Sequence, residues 1–160
     1  MDNHLEEYLK KNNFSYTLFK HPAVFTVEQS KNEPAIKNIP GTRTKSLFLK
    51  NENSSFYLIT LVGEKRLNIK ALEKHLKVKH LQFASSEELK AQLDVNPGSV
   101  SLFSILNGRN ISLIIDKEIW KADFAGYHPN INTETLVLSK EALKTLFKIL
   151  KCKKEVIELA

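Results

Sequence analysis

Two apolar segments joined by a short polar turn constrain the fold of this chain most strongly. TKSLFLK spans residues 44–50, SFYLITLV spans residues 55–62, and NENSS forms the turn between them. Short apolar runs bounded by polar residues are typical of neighbouring β-strands. Leu47, Phe48 and Leu49 have the character of the middle of a buried strand. Lys45 leads into that strand, although a lysine seldom stands there for packing reasons alone.

Strands and helices are interleaved along the chain without strict alternation. Capping patterns predict helices that begin after Thr26, Asn68, Ser85 and Ser139, and the Leu5–Leu9 spacing predicts a short N-terminal helix. Further strands are predicted in residues 14–21, 80–85, 111–116, 121–127, 135–139 and 154–159. The strand at 121–127 is expected to pair beside the strand at 111–116. Irregular loops are predicted in residues 33–43 and 94–110. We therefore expect a mixed α/β (α+β) fold, with a central mixed β-sheet surrounded by helices and residues 1–160 forming a single domain.

The positive charge is concentrated in one third of the chain. Residues 31–80 contain 11 Lys or Arg and 4 Glu, a balance of +7, whereas the other residues carry 13 basic and 14 acidic groups, a balance of −1. This segment indicates either a phosphate-binding surface or a solvated lysine-rich face. The chain has no apolar run long enough for a membrane span, no signal-peptide pattern and a single cysteine, Cys152. We expect an intracellular, cytoplasmic protein without disulfides.

Several common catalytic motifs are absent. The sequence contains no phosphate-binding glycine loop, no dinucleotide fingerprint, no HExxH or CxxC zinc pattern and no GxSxG nucleophile elbow. We therefore predict neither a metal nor a cofactor. Asp116 ends an apolar strand, where cleft residues of α/β proteins often lie, but a cap for the following turn is the better interpretation.

Three stretches resemble, in their order and spacing, the YbaK/ProX family of aminoacyl-tRNA deacylases. They are HPAVFTVEQS (residues 21–30), GTRTKSLFLKN (41–51), and NPGSVSLFSILN (96–107) continuing through IIDKEIW to GYHPNINTETLVLS (126–139). The resemblance covers most of the chain and is closest to the ProX branch, relatives of the editing domain of bacterial prolyl-tRNA synthetases. It implies a trans-acting deacylase of mischarged tRNA(Pro), with alanyl-tRNA(Pro) as the expected substrate.

The resemblance also implies roles for particular residues. Lys45 and His128 are the expected catalytic residues, with Lys45 at the mouth of the pocket. Gly98, Ser99 and Val100, together with Asn132 and Thr133, are expected to bind the substrate. The expected tRNA contacts, which draw also on the basic segment, are Thr26, Lys31, Lys37, Arg43 and Ser46. The expected partners are the tRNA acceptor end and a prolyl-tRNA synthetase, while the oligomeric state is not determined by the sequence.

Elementary chemistry is compatible with these roles and leaves alternatives open. Hydrolysis of an aminoacyl ester requires a water nucleophile and a donor for the developing oxyanion. A lysine at a strand entrance, beside N–H groups of a glycine-led loop, provides such a donor. The alternative is a lysine whose stem packs on the strand while its ammonium reaches water. His128 binds substrate or water, or is a turn histidine bonded to the backbone. Asn132 and Thr133 orient His128, or they form the turn.

Two departures from the family pattern leave other functions open. Leu102 stands where the glycine loop usually has proline, and Ser46 replaces the common asparagine after the lysine. The alternatives are a cysteinyl-tRNA(Pro) deacylase of YbaK type and a non-catalytic tRNA-binding or synthetase-associated module. The predicted walls of a small, partly apolar pocket are Leu47, Leu49, Ile59, Val100 and Phe103.

Overall fold

The computed structural model describes residues 1–159, and its centre is an eight-stranded mixed β-sheet. The strand order is β1-β7-β6-β2-β3-β5-β8, with the short β4 paired to β2. The strands are β1 (Thr17–Lys20), β2 (Thr42–Lys50), β3 (Phe56–Val62), β4 (Gln82–Phe83), β5 (Ile111–Asp116), β6 (Phe124–Tyr127), β7 (Glu134–Ser139) and β8 (Lys154–Ile157). The predicted mixed sheet with surrounding helices is confirmed.

Seven short α-helices and one 3₁₀-helix accompany these strands within the described part of the chain. They are α1 (Asn3–Lys11), α2 (Val27–Asn32), α3 (Pro34–Lys37), α4 (Ile69–Leu76), α5 (Ser86–Leu93), α6 (Lys117–Lys121), α7 (Lys140–Ile149) and the 3₁₀-helix Leu102–Asn107. The predicted caps are confirmed, because side-chain oxygens of Thr26, Asn68, Ser85 and Ser139 each accept a backbone N–H at the start of a helix. None of the helices in residues 1–159 is long and apolar enough to cross a membrane.

Strand β2 joins the two halves of the sheet. Its first residues, Thr42 and Arg43, pair in parallel with β6, whereas Thr44 to Lys50 pair antiparallel with β3. On the edge away from β3, β4 pairs only with Leu49 and Lys50. Within the described residues no strand pairs with that edge between Thr44 and Phe48. The sheet is therefore split beside the segment that contains Lys45.

The core consists of two clusters, because alternate residues of a strand face opposite sides of the sheet. Phe48 and Leu58 belong to the larger cluster, which also contains the apolar side of α1, α5 and α7. Leu49 and Ile59 belong to the smaller cluster, packed against Leu72 of α4. The apolar middle of β2 is thus buried on both faces, as the sequence predicts.

Three predictions for local structure were wrong. Residues 33–43 are not wholly irregular, since α3 begins at Pro34 with the Glu33 carboxylate accepting the Ala35 N–H. The long loop after residue 94 contains the 3₁₀-helix, whose start is fixed by reciprocal hydrogen bonds between Ser101 and Ser104. Strand β6 does not pair with β5, and it lies instead between β2 and β7. Its partners are distant in sequence, so spacing alone does not identify them.

A buried carboxylate ties the ends of β3 and β5 together. Asp116 is 0% exposed and accepts hydrogen bonds from the backbone N–H groups of Val62 at 3.2 Å and Glu118 at 3.1 Å. Its other contact is the Lys65 ammonium, 3.0 Å away, which also meets Glu118 at 2.9 Å. Burial alone would lower the pKa of Lys65, but the hydrogen bonds to Glu118 and Asp116 raise it above its usual value. The predicted capping role of Asp116 is confirmed.

Candidate active site

Two histidines meet at the beginning of β7. His21 follows β1 and His128 follows β6, and both strands pair with β7, which explains why residues so distant in sequence are neighbours. Their ring centroids are 6.2 Å apart. His21 is 7% exposed, with Nδ1 bonded to the Pro22 carbonyl at 2.9 Å and Nε2 to the Thr135 hydroxyl at 2.8 Å. Both ring nitrogens of His21 are therefore engaged, and the bond from Nε2 links the segment after β1 to β7.

His128 keeps one nitrogen available. Its Nδ1 lies 3.1 Å from the Glu134 carbonyl, which accepts only, so Nδ1 carries the proton and donates. No described residue forms a hydrogen bond with Nε2 of His128. Burial lowers the pKa of His128, and the neighbouring His21 lowers it further, while the bond to Glu134 opposes both effects. The imidazole is thus neutral near pH 7 and offers a lone pair on Nε2.

A small cavity lies between the beginning of β2 and the end of β6. Its volume is about 40 Å³. Thr44 closes one side by donating its hydroxyl hydrogen to the Gly126 carbonyl at 2.7 Å. The other lining residues include apolar Ile36 and Ile39 after α2, and the polar Thr135 and His128. A cavity needs about 10–15 Å³ to hold one water molecule. This cavity therefore has room for about three or four heavy atoms.

Lys45 follows the cavity residue Thr44 in sequence but does not line the cavity. It follows Thr44 in β2, pairs with Leu61 of β3 and is only partly exposed. Its ammonium forms no hydrogen bond or ion pair with any residue in 1–159, whereas Lys50 of the same strand pairs with Glu88 at 2.8 Å. Burial lowers the pKa of Lys45. An unpaired, partly desolvated ammonium at a split in the sheet is well placed to meet a ligand, but no direct contact joins it to His128.

The glycine-led loop packs on the segment after His21. Gly98 has φ +88°, and a Cβ at this position would stand 3.1 Å from the Phe25 ring and 3.9 Å from the Asn132 side chain. The Asn132 carbonyl accepts the Val24 N–H at 3.4 Å, and the Thr133 carbonyl accepts the His21 N–H at 2.9 Å. The structure therefore brings Gly98, Asn132 and Thr133 together with the histidine pair.

The rest of that loop turns toward the interior. Ser99 donates its N–H to the Asn96 carbonyl at 3.1 Å, and Val100 packs against the larger core cluster. Leu102, the first departure from the family pattern, is 1% exposed in the same cluster. It therefore fills the core rather than the small cavity.

The expected tRNA contacts fall into two groups. Lys31 and Lys37 are exposed on α2 and α3, and Arg43 lies beside them, with its guanidinium 3.4 Å from the Ile36 carbonyl. Lys31 pairs with Glu64 at 3.0 Å, and the Thr26 hydroxyl caps α2. Ser46 differs, because it is 8% exposed and its hydroxyl bonds Thr60 at 2.8 Å. Ser46 reaches tRNA only if the strand moves, so it is left out of the proposed contact surface.

The predicted pocket walls were wrong as a set. Leu47, Leu49 and Ile59 pack in the smaller cluster, while Val100 and Phe103 pack in the larger one. Side chains that point to opposite faces in the middle of a sheet cannot enclose one pocket. Sequence reasoning also missed His21 and Thr135, although the dipeptide His-Pro occurs twice, at residues 21–22 and 128–129. That repetition was the available signal, because each histidine directly follows a strand that pairs with β7.

Comparisons with known proteins bear on the family and the fold of this chain. Residues 21–146 match the family described as the aminoacyl-tRNA editing domain. Separately, no group of three or more metal-binding side chains occurs among residues 1–159. The chain is 31% identical over 137 residues to the prolyl-tRNA editing protein ProX of Acetoanaerobium sticklandii, covering 84% of this chain and 82% of that protein. It is 29% identical over 136 residues to the prolyl-tRNA synthetase associated domain-containing protein 1 of Danio rerio, covering 82% and 73%. The fold also matches a crystal structure of a candidate trans-editing enzyme for prolyl-tRNA synthetase, with TM-score 0.76, 16% identity and 99% and 98% coverage.

Proposed function

Because this chain belongs to the aminoacyl-tRNA editing domain family, we propose that it removes alanine from mischarged tRNA(Pro). The chain is an aminoacyl-tRNA hydrolase that acts in trans, as a single editing domain. Its proposed partners are the tRNA acceptor end and the prolyl-tRNA synthetase that makes the errors, and its proposed location is the cytoplasm.

The small cavity between β2 and β6 is the observation that carries the choice of amino acid. A cavity of about 40 Å³ accommodates the methyl group of alanine with space to spare, whereas the three methylenes of the proline ring would fill it. A synthetase pocket built for proline cannot sterically exclude alanine, since each missing methylene yields only about 1–3 kcal/mol of discrimination. A second pocket that admits only the smaller residue complements that weakness.

The surrounding residues supply the chemistry in this proposal. Water attacks the ester carbonyl, a new carbon–oxygen bond forms, and the bond to the terminal ribose oxygen breaks to release alanine and tRNA. The Lys45 ammonium stabilises the negative charge that develops on the carbonyl oxygen. Nε2 of neutral His128 accepts a hydrogen bond from the attacking water or from the substrate ammonium. In this proposal the substrate lies between these two groups.

A panel of aminoacylated tRNA(Pro) substrates tests this proposal. Under single-turnover conditions, alanyl-tRNA(Pro) should be hydrolysed about 10–200-fold faster than prolyl-tRNA(Pro). This is the range expected for small differences in side-chain size. Cleavage confined to cysteinyl-tRNA(Pro) would indicate the YbaK-type alternative. Equal rates on alanyl and prolyl substrates would contradict the size argument.

A cavity variant sharpens the same experiment. Ile39→Ala enlarges the cavity and should raise prolyl-tRNA(Pro) hydrolysis relative to alanyl-tRNA(Pro). Ile69→Ala provides a matched control, because Ile69 is a partly buried isoleucine that packs against the smaller core cluster instead. An unchanged ratio in both variants would show that a different pocket selects the amino acid.

The basic residues around α2 and α3 are proposed to contact the acceptor stem. Lys31→Gln, Lys37→Gln and Arg43→Gln together should weaken tRNA binding and flatten its salt dependence, because each lost phosphate contact reduces the slope of log K against log salt by about 0.7–0.9. Fluorescence anisotropy with labelled tRNA over a salt series measures the slope. The exposed lysines Lys11, Lys121 and Lys148, changed together to Gln, give a charge-matched control. An equal slope in the two triple variants would mean that the face around α2 is only solvated.

A further inference from the structure

A large groove lies at the end of the sheet remote from Lys45. Its volume is about 850 Å³. It is bounded by the first residues of β3 and β5, by Tyr8 of α1, and by the connections at residues 108–110 and 150–153. Lys45 pairs with Leu61, five residues beyond Phe56 where the groove begins. At about 3.3 Å per strand residue, the two places are roughly 16 Å apart, so the groove is not an extension of the candidate active site.

The groove is strongly basic. Arg109, Lys151 and Lys153 line it and are exposed, and no Asp or Glu is among its lining residues. None of these three cations forms an ion pair with any residue in 1–159. The neighbouring Lys154, by contrast, donates to the Leu150 carbonyl and lies over the Phe147 ring. Three uncompensated cations around one concave surface attract an anion of high charge density.

Aromatic side chains give the same groove an apolar side. Tyr8, Phe56 and Tyr57 line it together with the small hydroxyl residues Ser55 and Ser112. Burial raises the pKa of Tyr8, so its hydroxyl remains a neutral hydrogen-bond donor. The wall is held in place by the backbone, because the Leu113 N–H donates to the Lys153 carbonyl at 2.8 Å. Aromatic rings beside clustered cations are the elements with which proteins bind nucleobases and phosphates together.

We propose that this groove binds a nucleoside phosphate, with the phosphate among Arg109, Lys151 and Lys153 and the base against Tyr8. The ligand is either a free nucleotide or a nucleotide of an RNA chain, since both present the same chemistry. The proposal is independent of the hydrolysis at Lys45.

Cys152 provides a direct reporter of occupancy. It is the only cysteine of the chain, it lines the groove, and burial raises the pKa of its thiol. The rate of its reaction with a disulfide reagent should fall about tenfold when AMP is present at ten times its dissociation constant, because the occupied fraction follows mass action. A second arm replaces AMP by uncharged tRNA, and protection by tRNA alone identifies RNA as the source.

Variants distinguish binding in this groove from binding elsewhere on the protein. Arg109→Gln, Lys151→Gln and Lys153→Gln together should abolish protection, measured as the ratio of rates with and without ligand within each protein. The triple variant of Lys11, Lys121 and Lys148 should keep it, and so should Lys45→Ala, whether or not that variant hydrolyses any ester. Failure of both AMP and tRNA to protect Cys152 would overturn the proposal. So would equal protection of the groove variant, or protection by inorganic phosphate as strong as that by AMP.

Discussion

Replacing Asp116 by alanine should destabilise the folded protein by about 3–5 kcal/mol, the cost typical of breaking a buried ion pair. The carboxylate is 0% exposed and accepts hydrogen bonds from Lys65 and from the N–H groups of Val62 and Glu118. Alanine leaves those donors without their acceptor at the point where β3, β5 and α6 meet. Urea unfolding followed by circular dichroism measures the change through the transition midpoint.

The control for this variant is another aspartate that meets a lysine. Asp123 lies 3.7 Å from Lys140, but its side chain is 90% exposed. Exposed pairs of this kind contribute little to stability because solvent screens them. Asp123→Ala should therefore leave the midpoint nearly unchanged, and Asp116→Asn should fall between the two alanine variants. A midpoint for Asp116→Ala equal to that of Asp123→Ala would contradict the role assigned to the buried carboxylate.

The parts of the fold that the sequence predicts correctly depend on interactions between residues close together in the sequence. The caps at Asn68, Ser85 and Ser139 are local hydrogen bonds, and each is present. The helix α3 also had a local signal, since Pro34 occupies the first helical position and Glu33 caps it. The irregular loop predicted for residues 33–43 did not take that signal into account.

Pairings between distant strands are a different problem. Strand β6 contacts β2 in parallel and β7 in antiparallel orientation, and neither choice can be derived from its alternating pattern. The same limit applies to the candidate site. The roles of Lys45 and Gly98 were inferred from the resemblance to a family, whereas the proximity of His21 and His128 follows only from the position of β7 between β1 and β6. The prediction of the pocket walls was wrong for the same reason. Which face of a strand meets a cavity depends on the strands and helices packed around it.

The change of Lys45 to alanine should give the largest loss of activity. Its ammonium has no partner within the described residues, lies in the part of β2 where the sheet is split, and has its pKa lowered by burial. A cation in this position interacts more strongly with a developing oxyanion than a fully hydrated one. Removal of one oxyanion donor typically lowers the chemical rate about 10²–10³-fold. Single-turnover hydrolysis of alanyl-tRNA(Pro) at saturating enzyme isolates that step from tRNA binding.

Companion variants separate a chemical role from a structural one. Lys45→Arg should restore little activity, because a planar guanidinium does not replace a compact ammonium in a small site. His128→Ala should reduce the rate less, as expected for a group that positions water or substrate. Lys50→Ala, which breaks the pair with Glu88 in the same strand, should leave the saturated chemical rate unchanged. If Lys45→Ala is folded and hydrolyses the ester at the wild-type rate, the lysine only extends its stem along the strand to place its charge in water, and the oxyanion must be stabilised by backbone N–H groups alone.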